Sequence, residues 1–120
     1  MCGICAVWNR LGRPGVIKKE VVKSADLIQY RGPDWSGTDC TTIEAPENKW
    51  PGKSFCTVLV QQLLAITDVA SGEQPLYSAD GNSVIICNGE IYNHKRLKAS
   101  LPQEIQDQFS TKSDCEVVVH

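Results

Sequence analysis

The chain has 120 residues, enough for one domain or part of one, with six cysteines, two histidines and a net charge of −2. Hydrophobic residues make up 42% and charged residues 22%, and the charges are interspersed, which argues against a nucleic-acid surface. No apolar run reaches the ~18 residues of a membrane span, and no basic stretch precedes the short apolar start, so neither a span nor a signal peptide is expected.

In chain order, residues 3–8 read as a buried strand, and residues 9–15, with two glycines and a proline, as a turn. Residues 16–30 read as a helix: Val21 or Val22, Ala25 and Ile28 recur at helical spacing, with Lys18, Lys19, Glu20 and Lys23 for the wet face. Pro33 disfavours helical geometry at Gly32 and sets the stop near Arg31. A short strand is expected over 35–43, a proline-bearing hairpin loop over 45–52 and a long strand over 54–66, the last rich in β-branched residues. Residues 68–75 are expected to be a loop, and 83–88 (SVIICN) a fully buried strand. Asn93 is placed to cap a short helix through Lys98. Ser113 and Glu116 have capping-box spacing, which predicts a helix starting near Asp114. The order gives an α+β fold with mostly consecutive strands.

An even cysteine count in a short chain raises the prospect of a disulfide scaffold. Cys56 and Cys87, however, sit inside apolar, strand-like runs, where a free thiol behaves as a small hydrophobe, and a reduced, cytoplasmic setting is expected. Cys2 and Cys5 have C-x-x-C spacing, but no strand precedes them to present a redox motif, and no second ligand pair suits zinc. Alternation along a strand points Cys2 and Cys5 to opposite faces, with Cys5 in the core.

The sharpest chemistry lies at the start. Removal of Met1 would leave Cys2 with an α-amine and a thiol on one carbon. The thiolate is the attacking species, and an amine of pKa about 7.7–8.0 can take the thiol proton near neutral pH. Three further segments accompany it: RGPDWSG (31–37), LAITDVASGEQPL (64–76), and NGEIYN (88–93) followed by SDCEV (113–117).

Together, in this order and spacing, these motifs resemble the glutaminase domain of the glutamine-hydrolysing asparagine synthetases, class II glutamine amidotransferases with an N-terminal-nucleophile fold. The resemblance runs over all 120 residues. It implies an αββα sandwich of antiparallel sheets, of which residues 1–120 would be the amino-terminal part. It further implies a synthetase domain outside this sequence, using ATP and Mg; no cofactor is expected within the 120 residues, which hold no phosphate-cradling glycine loop. Expected partners are glutamine and that synthetase domain, with no nucleic acid and no membrane, and with homodimer formation left open.

By the same resemblance, Cys2 is the nucleophile that attacks the glutamine carboxamide, and the Asn88 side-chain amide and Gly89 N–H form the oxyanion hole. Glu90 and Asp114 would bind the substrate ammonium, and the backbone near Ile66 and Thr67 would line the pocket. The bland readings are a tight Asn-Gly turn and, for Asp114, a favourable charge at a helix start. One position departs from the family: the segment that begins with Arg before Leu elsewhere begins here with Leu63, so the cation for the substrate carboxylate is missing. Arg31 is the candidate substitute, although its family role is mainly to hold the RGPD loop. The alternatives are a catalytically impaired or regulatory module of the same fold, an amidotransferase acting on another acid, and a disulfide-stapled binding domain.

Overall fold

Strand β1 (Gly3–Gly12) runs antiparallel to the central strand β3 (Ser54–Leu63), which pairs on its other side with β2 (Trp35–Glu44). The computed structural model describes residues 2–64 and 73–120. β1 outlasts the expected strand: Val7 pairs with Val58 but Arg10 with Cys56, so β1 carries one extra residue. That bulge sits at Asn9, whose φ of 51° suits an asparagine, and the turn expected over 9–15 shrinks to the corner at Arg13.

Helix α1 (Pro14–Asp26) starts with proline at its first turn, where the fixed φ is preorganised and the missing N–H costs nothing. It ends earlier than the periodicity predicts, and a separate 3₁₀ turn (Gln29–Arg31) carries the chain to the RGPD corner. Ile17, Val21 and Ala25, spaced by four, pack on Cys56, Val58 and Val60 of β3. Burying each such Val or Ile side chain is worth about 1.5–3 kcal/mol, so this seam is the main source of stability on this face of the sheet. The fully buried Gln62 extends the seam by donating from Nε2 to the Ala25 carbonyl at 3.3 Å.

The loop between β2 and β3 is the expected hairpin, closed by Ala45 N–H to the Lys53 carbonyl (3.2 Å) and by Gly52 N–H to Glu47 Oε2 (3.1 Å), with Trp50 edge-on to Phe55. The long strand over 54–66 is observed as far as Leu63, with Leu64 already outside it; residues 65–66 and most of the 68–75 loop lie outside the described residues.

Beyond the gap, β4 (Leu76–Tyr77) and β5 (Val84–Ile85) form a second, two-stranded antiparallel sheet, tied across its turn by Ser78, Asp80 and Asn82. The 83–88 segment is therefore not the fully buried strand its composition predicts. Only two residues join a ladder, both half-buried, and the main-chain groups of Cys87 turn to glutamine side chains instead.

Helix α2 (His94–Ser100) follows Asn93 as expected, but without a side-chain cap, and a short α3 (Gln103–Gln106) had no signal in the pattern. Residues Asp114–Val118 form a 3₁₀ helix. The capping box does not form: Glu116 reaches the preceding loop rather than Ser113. The fold is thus α+β with antiparallel sheets, as the sequence predicts. All six cysteines are free thiols, and no helix among the described residues is long and apolar enough to cross a membrane.

Candidate active site

Cys2 lies just before β1, beside the end of β3, and is 9% exposed. Its main chain and side chain are held from three directions. Cys2 N donates to Asn88 Oδ1 at 3.1 Å. Its carbonyl accepts from Arg31 Nε at 3.3 Å. Its Sγ accepts from Leu64 N–H at 3.4 Å and faces the Leu64 carbonyl at 3.8 Å. The sulfur is thus fixed against the main chain at the end of β3.

Arg31 is brought to this point by the 3₁₀ turn and by Gly32. A side-chain carbon at Gly32 would overlap the Gln62 carbonyl, so the RGPD corner lies flat on the end of β3 only because the residue is glycine. Arg31 therefore anchors the Cys2 carbonyl through its Nε.

Asn88 and Gly89 follow β5 and are both exposed. With Oδ1 of Asn88 turned to Cys2, the Nδ2 end of the same amide is the donor left for a ligand. A side-chain carbon at Gly89 would meet nothing within 4 Å, so the space beside this backbone is open.

The 3₁₀ helix Asp114–Val118 backs this loop. Ile91 N–H donates to Asp114 Oδ2, and Cys115 Sγ lies 3.7 Å from the Gly89 carbonyl. Burial, together with Cys87 and Asp114 alongside, pushes the Cys115 thiol well above its ordinary range, so it stays protonated and inert. Asp114 is 7% exposed, and its carboxylate accepts from the chain beside Gly89. Glu90 lies between these two ties, exposed, with no side-chain hydrogen bond or ion pair to another described residue.

Cys2, Asn88, Gly89 and Asp114 are thus gathered at one end of the sheets, from segments more than 20 residues apart. Ile66 and Thr67 lie outside the described residues. Leu63 ends β3 opposite Trp35, half-buried.

Two supporting residues, Gln61 and Gln74, have no role in the sequence reading, and Glu116 takes a different one from the cap expected of it. Gln61 donates from Nε2 to the Cys87 carbonyl at 3.1 Å, Gln74 Oε1 accepts from Cys87 N–H at 2.6 Å, and Glu116 binds the loop before Asp114. The available signal was the adjacent Gln61 and Gln62 inside an apolar strand, where alternation buries one on each face.

Residues 1–120 match the family described as "Glutamine amidotransferase domain". The chain belongs to that family. Over its full length it is 40% identical to "Asparagine synthetase [glutamine-hydrolyzing] 2" of Oryza sativa subsp. japonica and 38% identical to "Asparagine synthetase [glutamine-hydrolyzing] 3" of Arabidopsis thaliana, covering 18% of each. It is 33% identical to the "Probable asparagine synthetase [glutamine-hydrolyzing]" of Dictyostelium discoideum, covering 19% of it. The chain therefore spans about a fifth of the length of the curated relatives it matches.

Proposed function

We propose that this amidotransferase domain is the glutaminase portion of a glutamine-hydrolysing asparagine synthetase, releasing ammonia from glutamine for the amidation of aspartate. The observation that carries the reading is the 3.1 Å contact between Cys2 N and Asn88 Oδ1, which sets the nucleophile's nitrogen against the amide that would hold the oxyanion.

In the chain as written, Cys2 N is a peptide nitrogen. Removal of Met1 turns it into an α-amine, with Asn88 Oδ1 ready to accept one of its protons. The amine takes the thiol proton and Sγ attacks the carboxamide carbon of glutamine. The carbonyl oxygen becomes negative and is met by Asn88 Nδ2 and the Gly89 N–H, worth roughly a hundredfold to a thousandfold in rate per donor. The protonated amine returns its proton to the departing nitrogen, ammonia leaves, and a thioester remains. Water, deprotonated by the same amine, hydrolyses it to glutamate and restores the thiol.

Asp114 and Glu90 supply the negative charge for the substrate ammonium. Ile66 and Thr67 are proposed to line the pocket through their backbones. ATP and Mg belong, in this reading, to a synthetase portion. Among the described residues no group of three or more His, Cys, Asp or Glu could hold a metal ion, and no step above runs through one. A cytoplasmic setting and a synthetase domain as partner complete the proposal; no oligomer is part of it.

The test is made on the full-length protein. Mass spectrometry of its amino terminus should find Met1 removed and no acetyl group on Cys2. A glutamine-mimicking diazoketone or chloroketone should alkylate Cys2, and glutamine should block it. A retained Met1, or labelling indifferent to glutamine, overturns the reading. A second reading, a non-catalytic module of the same fold, is favoured by one observation: the apolar Leu63 where the family's motif supplies a cation.

A further inference from the structure

Cys87 stands between the last ladder pair of β5 and Asn88, where a residue ordinarily loses its sheet partners. Neither of its main-chain groups is left unmade. Its N–H donates to Gln74 Oε1 at 2.6 Å, and its carbonyl accepts from Gln61 Nε2 at 3.1 Å. Gln61 is fully buried and Gln74 is 5% exposed, so the glutamine end of each bond is shielded from water, while Cys87 itself is half-buried. Two carboxamides from different segments do for Cys87 what a neighbouring strand does for a residue inside a ladder. Gln61 Oε1 has no partner among the described residues. Gln61 thus serves through its donor end, at the cost of a buried unsatisfied oxygen.

Gln74 is seated in turn by β2. Gly37 lies under it, and a side-chain carbon there would overlap the Gln74 carbonyl. Trp35 Nε1 donates to that same carbonyl at 3.3 Å. The notch at Gly37 lies directly beside Gln61 in the β2–β3 register, which brings the two glutamines to the same patch of sheet.

We infer that Gln61 and Gln74 are positioning residues for the oxyanion hole: their carboxamides clamp Cys87 from both sides and fix where Asn88 and Gly89 present their donors. Trp35 and Gly37 hold the Gln74 arm of the clamp. The inference rests on the proposed role of Asn88 and Gly89. It links RGPDWSG and SGEQPL to the reaction although neither glutamine touches substrate.

A displacement of a catalytic donor by about 1 Å can cost about a hundredfold in rate. In the full-length protein, Gln74→Met and Gln61→Met should each lower kcat for glutamine hydrolysis about tenfold to a hundredfold, with KM within about threefold. Gln74→Glu keeps an acceptor for the Cys87 N–H and should retain most of the rate. Trp35→Phe, which removes one donor and keeps the ring, should fold normally and lower kcat about threefold. Hydrogen exchange of the Cys87 amide should quicken at least about tenfold in Gln74→Met and stay near wild type in Gln74→Glu. Unchanged exchange and unchanged kcat in Gln74→Met would overturn the clamp. If the methionine variants do not fold, an unchanged kcat in Trp35→Phe overturns it. Hydrolysis that survives Cys2→Ala would instead sink the nucleophile reading, and the exchange data would still decide the clamp.

Discussion

Replacing Glu116 by glutamine should loosen the turn that carries Asp114, and the size of the effect follows from its contacts. The Glu116 side chain is 1% exposed. Oε1 accepts from Ser110 N–H (2.6 Å) and Ser110 Oγ (3.2 Å), and Oε2 from Thr111 N–H (2.8 Å) and Thr111 Oγ1 (2.5 Å). Phe109 stacks on His120, whose Nε2 lies 3.7 Å from Oε1. Glutamine keeps one oxygen and turns the other end into a donor. One backbone N–H then faces an NH₂ group, while the serine or threonine hydroxyl beside it can rotate to accept. One to two charge-assisted bonds are lost, at roughly 1.5–3 kcal/mol each, and exposed Ser110 recovers part from water. The expected loss in local stability is about 2–4 kcal/mol. Hydrogen exchange over residues 110–119 of the full-length protein should then run about thirtyfold to a thousandfold faster at pH 7.

The same substitution carries a pH signature. Burial raises the Glu116 pKa, but the bonds from Thr111 and Ser110 outweigh it, and the net shift is downward from the ordinary 4.5. A depressed folded-state pKa stabilises fully above the unfolded value and loses that contribution as pH falls toward the folded one. The gap between wild type and Glu116→Gln should therefore be constant above about pH 5.5 and narrow below about 4.5. Exchange within threefold of wild type at pH 7, or a gap that widens in acid, would refute the reasoning.

Two glycines should separate fold from chemistry. Gly32→Ala drives a carbon into the Gln62 carbonyl and should destabilise by about 3 kcal/mol in denaturant unfolding, whereas Gly89→Ala meets open space and should change stability by no more than about 0.5 kcal/mol. Gly89→Ala should nevertheless lower kcat for glutamine about tenfold or more, because the added carbon crowds the proposed oxyanion donor. Leu63→Arg should lower the glutamine KM about tenfold to a hundredfold, the worth of a charged hydrogen-bonded contact to the substrate carboxylate. An unchanged KM would mean that another group already fills that role.

Where apolar spacing was strong, local pattern and final structure agree. Val21 and Ala25 of the expected stripe are buried in α1, joined by Ile17 rather than by Ile28, which falls past the helix end, and the β2–β3 hairpin closes where Pro46 and Gly52 interrupt two strand-like runs. The motif order also led to the amidotransferase family, because a leading cysteine, an RGPD corner and an NGE loop carry chemistry that composition does not. Short-range pattern failed where long-range partners decided the outcome. Asn9 continues a strand because β3 accepts a bulge there, and SVIICN stops being a strand after two ladder residues because buried glutamines take over. Glu116 leaves its expected capping role because two loop residues offer it four donors. The sequence by itself determined the helix stripe and the hairpin, since these depend on neighbours a few residues away. Only the tertiary structure decided that Cys2 meets Asn88, 86 positions along the chain, and that Gln61 and Gln74 converge on Cys87. A hydrogen bond between distant segments leaves no periodicity in either of them.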